Sequence, residues 1–261
     1  MALFEFELAK VEEILPWETS GGLSLTWFAL TDGRFWMPVG DQILFEYSDE
    51  IMTHWETSVR TADYQVAALA REMLGSVAAG AARLPERIER LASDWNLLLE
   101  LRREVDAEDN SEETNQLAYA AWRWLGERSP CASYLVASPN FQFVRVGDEL
   151  RIHWDNRGRV VDGCSVWTAQ AGVHAMPVAS FLEECRDFAR RLLNEMESRI
   201  GAIEAETVRT RTTLNVHSLR HQHEIWRAEF SSYFKTYQPD IEWQEAERAI
   251  QRIAEMKGLP F

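Results

Sequence analysis

The spacing of apolar residues changes period three times along the chain, and this alternation constrains the fold more than any other feature. Over residues 3–8, apolar and acidic side chains alternate, which is the period of a strand with one buried face. From Ser58 the apolar residues recur at the helical period, strands return over residues 134–176, and helices follow to the end. This segregation predicts an α+β fold with two antiparallel β-meanders and long C-terminal helices.

Turn dipeptides divide each meander into short strands. In the first meander, Asp32-Gly33 and Gly40-Asp41 predict tight hairpins, because these residue pairs adopt the turn conformations that hairpins need. In the second, we expect a strand over Tyr134 to Ala137 and a further hairpin at Gly147-Asp148. Both meanders therefore consist of neighbouring antiparallel strands.

The two meanders resemble each other in sequence. A shift of 107 residues aligns residues 39–41 with residues 146–148 and places Trp36 on Phe143. We interpret this as an internal duplication of a meander-plus-helix unit, with convergence on a common hairpin sequence as the alternative. The expected division is 1–128 and 129–261, with the two parts packed as one globular body.

Six helices are predicted from apolar stripes and from residues typical of helix ends. Three lie between the meanders: one from Ser58 to Gly80, one from Pro85 to Val105, and one that begins at a capping box of Asp109 and Glu112 and ends at Gly126. Three follow the second meander: Val178 to Val208, Leu214 to Tyr237, and Ile241 to Met256 with Gly258 as its stop. The first of these last three is long enough to cross the molecule.

Charge and composition exclude several classes of function. Forty-two acids against 27 bases give a formal net charge of −15, which repels phosphate backbones and disfavours nucleic acid as a partner. No apolar run approaches the roughly 18 residues of a membrane span. The amino terminus carries acids where a secretory signal has bases, so we expect a cytoplasmic protein. The three cysteines match no disulfide or zinc pattern.

One set of residues has the spacing of metal ligands. His217, His221 and Glu224 occupy positions i, i+4 and i+7 of a predicted helix and so share one face. That face lies opposite the apolar stripe, which favours a solvated surface over a metal site. His223 falls on the apolar side instead and is predicted to be a hydrogen-bonded core histidine.

An acidic segment lies between two predicted helices, and its charges must face either solvent or a partner. Residues 104–113 contain six acids in ten positions, namely Glu104, Asp106, Glu108, Asp109, Glu112 and Glu113. Such a segment could steer a basic protein toward the surface. The alternative is a solvated loop whose acids stabilise the start of the next helix. Trp55, in a connecting segment, is the aromatic residue that we expect to join such an interface.

Aromatic strand residues and turn glycines form a set of motifs along nearly the whole chain. They are Phe4-x-Phe6-x-Leu8, Ile14-x-Pro16-Trp17, Leu25-x-Trp27-Phe28-x-Leu30-Thr31-Asp32-Gly33-x-Phe35-Trp36, Val39-Gly40 with Tyr47-Ser48, Val166-Trp167-Thr168-Ala169-x-x-Gly172 and Phe181-x-x-Glu184-x-x-x-Phe188. With these motifs the chain resembles a bacterial family of unknown function. The resemblance implies a bacterial cytoplasmic protein and carries over no catalytic residues. A link to toxin-immunity proteins is our conjecture beyond the resemblance.

The leading functional hypothesis is a non-enzymatic protein-binding protein. Most concretely, we expect an immunity-type inhibitor that neutralises a cognate basic toxin by covering its surface. No phosphate loop, dinucleotide fingerprint, Gly-x-Ser-x-Gly elbow or Cys-x-x-Cys pair occurs, so no cofactor is expected. Two alternatives stay open: a metal-dependent hydrolase that uses His217, His221 and Glu224, and a structural or regulatory subunit.

Overall fold

The computed structural model describes residues 2–19, 22–103, 111–206, 208, 210, 212 and 214–261. The strands are β1 Glu5–Leu8, β2 Trp17–Thr19, β3 Gly22–Ser24, β4 Asp32–Val39, β5 Gln42–Leu44, β6 Ala62–Gln65, β7 Phe141–Val146, β8 Glu149–Asp155, β9 Val160–Val161, β10 Cys164–Ser165 and β11 Ala171–Pro177. Strands paired in these sheets are antiparallel. The predicted antiparallel pairing is therefore confirmed.

One short helix lies within the first group of strands, and the others lie between the two groups and after the second one. They are α1 Asp49–His54, α2 Val66–Gly75, α3 Val77–Ala81, α4 Glu86–Ser93, α5 Trp95–Arg102, α6 Glu112–Gly126, α7 Val178–Glu204, α8 Val216–Ser232 and α9 Trp243–Lys257. The α+β class with long C-terminal helices is therefore confirmed. In the part of the chain that the structure describes, each helix is too short or too polar to cross a membrane.

β4 is the centre of the first sheet. It pairs with β1 on one side, in a register that places Phe6 opposite Phe35, and with β5 and β6 on the other side. Its side chains alternate between buried and less buried positions, because a strand presents successive residues to opposite faces. The buried members, such as Phe35 and Met37, are fully enclosed in the core.

β8 is the centre of the second sheet and lies between β7 and β11. One face of this sheet packs on α7, where the ring of Phe143, paired with Ile152, lies 5.0 Å from the ring of Phe181. On the other face His153 stacks on Trp95 of α5, with ring centroids 3.8 Å apart. Helices thus cover both faces of this sheet.

The two sheets are joined by aromatic side chains. The ring of Phe45 lies 5.6 Å from that of Phe141 and 6.1 Å from that of Trp167, both in edge-on contact. Tyr47 forms an isolated antiparallel bridge with Trp167 and stacks on its ring at 4.9 Å. The sheets are therefore separate and share one aromatic core.

The likeness between the two meanders is seen at one hairpin in each. Two-residue turns at Gly40-Asp41 and Gly147-Asp148 connect β4 to β5 and β7 to β8, with φ of 65° at Gly40 and 61° at Gly147. These left-handed values suit glycine, which has no Cβ to clash. Beyond the hairpin the pairing differs. In the first sheet β6 pairs with β4, the first strand of its hairpin, whereas in the second sheet β11 pairs with β8, the second strand of its hairpin. The internal duplication stays a prediction.

Two predicted strand features are wrong. Asp32-Gly33 is not a hairpin turn but the start of β4, where Gly33 lies opposite Leu8 on one side and Tyr64 on the other. A Cβ on Gly33 would lie 2.3 Å from the carbonyl oxygen of Glu7, so the glycine serves close strand approach rather than a turn. Residues 134–137 form turns instead of a strand.

Two of the three helices predicted between the meanders differ from the observed ones. The helix expected from Ser58 starts only at Val66, because residues 62–65 pair with β4 as β6. The helix expected over Pro85 to Val105 breaks at Asp94, which has φ −102° and ψ 81°. The Asp94 carboxylate accepts a hydrogen bond from the backbone N–H of Leu97 and so begins a new helix.

Two hydrophobic cores hold the molecule together. The first lies between the two sheets and α2, α7 and α8. The second is mainly helical and joins α4, α5, α6 and α9 to Val144 of β7; its other buried members are Leu84, Ile88, Leu91, Ala92, Leu98, Leu101, Ala121, Trp124, Leu125, Ala246, Ala249, Ile250, Ile253 and Ala254. Each core contains residues from both sides of position 128. The division at 128 stays a prediction.

Candidate functional site

A surface groove runs between α6 and α9 and has a volume of about 830 Å³. We call it the acidic groove, and its lining residues are Glu112, Asn115, Gln116, Tyr119, Ala120, Arg123, Pro239, Asp240, Ile241, Glu242 and Glu245. Four of these residues are acidic and one is basic. The groove begins at Glu112, which belongs to the acidic segment that the sequence singles out.

The groove is shaped by two antiparallel helices. Glu113 near the start of α6 pairs with Arg252 near the end of α9 at 2.7 Å. At the other end, Arg123 of α6 hydrogen-bonds the carboxylate of Asp240, just before α9. Beneath them, Trp124 and Ile250 are fully buried in the second core. Apolar packing therefore fixes the helix pair, and the ion pairs lie on its surface.

Each wall helix has a defined end. The side chain of Ser111 accepts a hydrogen bond from the backbone N–H of Thr114 at 3.2 Å and caps α6. Glu112 is thus the first helical residue and not the third, so the predicted capping box of Asp109 and Glu112 is wrong. α9 ends at Gly258, with φ of 64°, as predicted.

Among the described residues, the one cation that lines the acidic groove is already neutralised by its neighbours. Arg123 is bound by Asp240 and lies 3.9 Å from the carboxylate of Glu127. The hydrogen bond with Asp240 is the main cause that raises the pKa of Arg123 above its ordinary value. Glu112 and Glu242 lie elsewhere along the same lining, as does Glu245. The groove therefore presents net negative charge.

An exposed aromatic ring lies among these acids. Tyr119 is 63% exposed, and the guanidinium of Arg123 lies 5.7 Å from its ring centroid. Cations favour the face of an aromatic ring, and tyrosine is common among residues that anchor protein interfaces. Tyr119 is thus an exposed aromatic ring beside the acids of the groove, with Arg123 against it.

A buried arginine supports the C-terminal end of α6. Arg128 is fully buried, and its guanidinium lies between 5.6 and 5.8 Å from the rings of Trp124, Tyr237 and Trp243. Its Nη1 donates to the carbonyl of Trp124 at 2.7 Å, and burial lowers its pKa. Burial and then the hydrogen bond to Glu127 raise the pKa of Tyr237 to about 12. These contacts hold α6 against the segment that leads into α9.

The structure separates the residues of the predicted interface. Glu112 lines the acidic groove, whereas Glu113 is paired with Arg252 outside its lining. Glu104, Asp106, Glu108 and Asp109 lie outside the described residues. Trp55 is half-buried in edge-on contact with Tyr47 at 5.3 Å and does not line the groove. Trp55 therefore contributes to the first core.

The histidine predictions can be compared with α8 directly. His217, His221 and Glu224 are exposed, and Glu224 lies 3.4 Å from Arg227. Within the described ranges, no three His, Cys, Asp or Glu residues form a group that could hold a metal ion. His223 is buried, and its Nδ1 accepts a hydrogen bond from Trp27 Nε1 at 3.1 Å, which confirms the predicted core histidine.

Sequence reasoning misses most of the acidic groove. Tyr119 lies on a predicted helix, but only the apolar residues on the buried side of that helix form a periodic pattern. Asp240 lies just before the predicted helix from Ile241 to Met256, and no pattern links it to α6. Glu242 and Glu245 begin α9, more than 100 residues after α6. Only the packing of these two distant helices brings them together. The sequence offers one local signal for this groove: acidic residues cluster at the starts of both helices.

The fold and the groove define an α+β protein with an acidic surface site between two helices. A family model, the family of unknown function DUF5984, matches residues 3–249. The chain belongs to this family. No curated protein and no solved structure matches the chain.

Proposed function

We propose that this chain is a non-enzymatic protein-binding protein, most concretely an immunity-type inhibitor that neutralises a cognate basic toxin. The observation that carries the proposal is the acidic groove. Its acids Glu112, Glu242 and Glu245 are exposed, and Arg123, the one lining cation in the described part of the chain, is already paired. A partner that places lysine or arginine side chains in this groove would complement its charge.

The whole molecule strengthens this preference for a basic partner. With a formal net charge of −15, the chain attracts cationic proteins over distances of about 8 to 10 Å at moderate salt. Attraction of this kind raises the rate of encounter more than the final affinity. An inhibitor must reach its toxin before the toxin reaches its target, and fast association serves that purpose.

The shape of the groove suits an inserted segment of a folded partner. About 830 Å³ accommodates several side chains, and Tyr119 offers an aromatic face beside the acids. A lysine or arginine of the partner would lie over this ring, while neighbouring basic residues reach Glu112 and Glu242. We place this interaction in the cytoplasm of a bacterial cell.

Affinity capture with matched variants tests the proposal. The groove variant carries Glu112→Gln, Glu242→Gln and Glu245→Gln, and the control variant carries Glu18→Gln, Asp41→Asn and Glu183→Gln at exposed positions outside the groove. Both variants change the formal net charge from −15 to −12, because each of the three substitutions removes one negative charge. We expect a basic protein to be captured from the native host by the unmodified chain and by the control variant, but not by the groove variant.

Expression of the captured protein then tests the inhibitor role. Alone, it should slow growth, and co-expression with this chain should restore growth. Equal capture by both variants would remove the groove from the proposal. A captured protein that is acidic, or harmless when expressed alone, would contradict the immunity role.

A further inference from the structure

A second groove lies between α7 and α8, and its charge is opposite to that of the acidic groove. We call it the arginine groove; it has a volume of about 330 Å³ and is lined by Arg186, Ala189, Arg190, Leu193, Asn194, Arg227, Phe230, Ser231 and Phe234. Three of these residues are cationic and none is acidic. In a chain of net charge −15, such a concentration of positive charge is unexpected from composition.

The helical repeat explains how these residues come to face one another. Arg186, Arg190 and Asn194 are four residues apart on α7, and Arg227 and Ser231 are four apart on α8. Residues at this spacing lie on one face of a helix, one turn above another. Two rows of polar side chains therefore border the groove, and its apolar lining is Ala189, Leu193, Phe230 and Phe234.

Neighbouring side chains contact each of the three guanidinium groups. That of Arg186 lies 5.4 Å from the ring centroid of Phe234. Arg190 hydrogen-bonds the carboxylate of Asp187, one turn earlier on the same helix. These contacts already restrict the rotamers of the arginine side chains. Less conformational entropy is therefore lost when a ligand binds.

Arg227 is held in the same way on the opposite helix. Its Nη1 lies 3.4 Å from the carboxylate of Glu224, and its Nη2 lies 3.1 Å from Nε2 of His223. Because Nδ1 of His223 accepts a hydrogen bond from Trp27, its Nε2 carries the proton and accepts none from Arg227, so the ion pair with Glu224 is the contact that holds Arg227. Asp187 and Glu224 do not line the groove, so their oxygens do not take the place of an anion inside it.

We propose that the arginine groove binds a phosphate monoester of a small molecule. Guanidinium groups match phosphate oxygens in a planar, two-point geometry, and a phosphate offers several oxygens to three arginines at once. Asn194 and Ser231 add uncharged hydrogen-bonding groups. The organic part of the ligand would rest on the apolar lining beside Phe234.

Size and exposure favour a small ligand over a docked protein. A volume of about 330 Å³ is near the lower end of the range for small-molecule sites. Among the described residues, none of the large exposed hydrophobic side chains lines this groove. A protein interface usually contains such an anchor at its centre.

Calorimetric titration of the full chain tests this proposal. The ligands are phenyl phosphate, inorganic phosphate, succinate and a penta-glutamate peptide. We expect one phenyl phosphate to bind per chain, more tightly than inorganic phosphate, because its ring contacts the apolar lining. Succinate and the peptide should bind at least tenfold more weakly than phenyl phosphate.

Substitutions identify the site of binding. The variant Arg190→Gln with Arg227→Gln should bind phenyl phosphate at least about tenfold more weakly, since two charge-assisted hydrogen bonds are lost. The control variant Arg83→Gln with Arg248→Gln removes the same charge at exposed positions elsewhere and should bind within twofold of the unmodified chain. Arg190→Gln alone, which leaves the contact with His223 intact, is the second test if the double variant folds poorly.

Three results would overturn the proposal. One is the absence of saturable binding of either phosphate compound to the folded chain. Another is an equal loss of binding in the groove and control variants. The third is tighter binding of penta-glutamate than of phenyl phosphate, which would assign the groove to an acidic protein segment.

Discussion

Two buried histidines show how the surroundings of a single side chain set its role. His223 is linked to Trp27 at Nδ1 and lies 3.4 Å from the carboxylate of Glu197 at Nε2. His153 is also buried and its ring stacks on Trp95, but its Nε2 has no hydrogen-bond partner among the residues that the structure describes. His153 therefore has little to stabilise a positive charge. Burial, and then the charge of Arg227, lowers the pKa of His223 as well, although Glu197 acts in the opposite direction.

The stability of the fold should depend on the ionisation of His153. Burial, and then the charge of Arg151, lowers the pKa of His153 to about 4, against an ordinary value of 6.5. A lowered pKa means that the unfolded chain binds the proton first, so stability is present above pH 6.5 and is lost as the pH falls toward 4. Between pH 7 and pH 5 this histidine should account for a loss of about 2 kcal/mol in the free energy of unfolding.

Urea denaturation at pH 7 and pH 5 checks this expectation. His153→Phe keeps a ring for stacking on Trp95 but cannot titrate, so its stability should fall by about 2 kcal/mol less than that of the unmodified chain. His217→Gln, at an exposed position, is the matched control and should behave like the unmodified chain. Identical pH dependence of His153→Phe and the unmodified chain would show that this prediction is wrong.

Gly33 illustrates close backbone approach within a sheet. A methyl group at this position would lie 2.3 Å from the carbonyl oxygen of Glu7 and 2.7 Å from the Cα of Leu8. Both contacts are with backbone, so β1 would have to move. We expect Gly33→Ala to lower the free energy of unfolding by about 1–3 kcal/mol, measured by urea denaturation.

The control for this substitution is Gly158→Ala. In the described part of the chain, no atom lies within 4 Å of the corresponding methyl position. Its stability should remain within about 0.5 kcal/mol of that of the unmodified chain. Equal effects at Gly33 and Gly158 would mean that β1 and β4 are not as close as the structure places them.

At the level of elements, sequence patterns predict long helices well and their interruptions poorly. α7 follows its apolar stripe almost to the predicted end, and Gly258 ends α9 as expected. The helix expected over Pro85 to Val105 divides at Asp94 because a side-chain cap competes with helix continuation, and apolar spacing does not reveal that competition. Asp32-Gly33 has the composition of a turn, but pairing with β1 and β6 outweighs that local preference.

The position of the α6 cap makes a prediction about this helix. Ser111→Ala removes the acceptor for the backbone N–H of Thr114, so the free energy of unfolding should fall by about 1 kcal/mol. Ser93→Ala is the control. Ser93 is exposed at the end of α4, and its hydroxyl donates a hydrogen bond to the carbonyl of Glu89. Chemical denaturation compares the two variants; a larger loss for Ser93→Ala would place the cap of α6 elsewhere.

At the level of the whole molecule, the sequence predicts the charge of the proposed partner surface but not its location. The acidic balance and the segment 104–113 indicate a surface that attracts basic partners, and Glu112 is the residue of that segment that lines the acidic groove. Tyr119 and Asp240 could not be assigned to it, because their proximity depends on packing between helices separated by many residues. Trp55 does not line this groove and contacts Tyr47 instead, a contact that the sequence of a connecting segment does not show. Its place in an interface stays a prediction.

Association kinetics with the captured partner test most directly whether the acidic groove recognises a basic protein. The measurement is the association rate constant at several salt concentrations for the unmodified chain, the groove variant and the control variant. The unmodified chain and the control should associate fast at low salt and slow steeply as salt rises, whereas the groove variant should associate more slowly and with a weaker salt dependence. Equal rates and equal salt dependence for the groove and control variants would show that net charge, and not the groove, draws the partner.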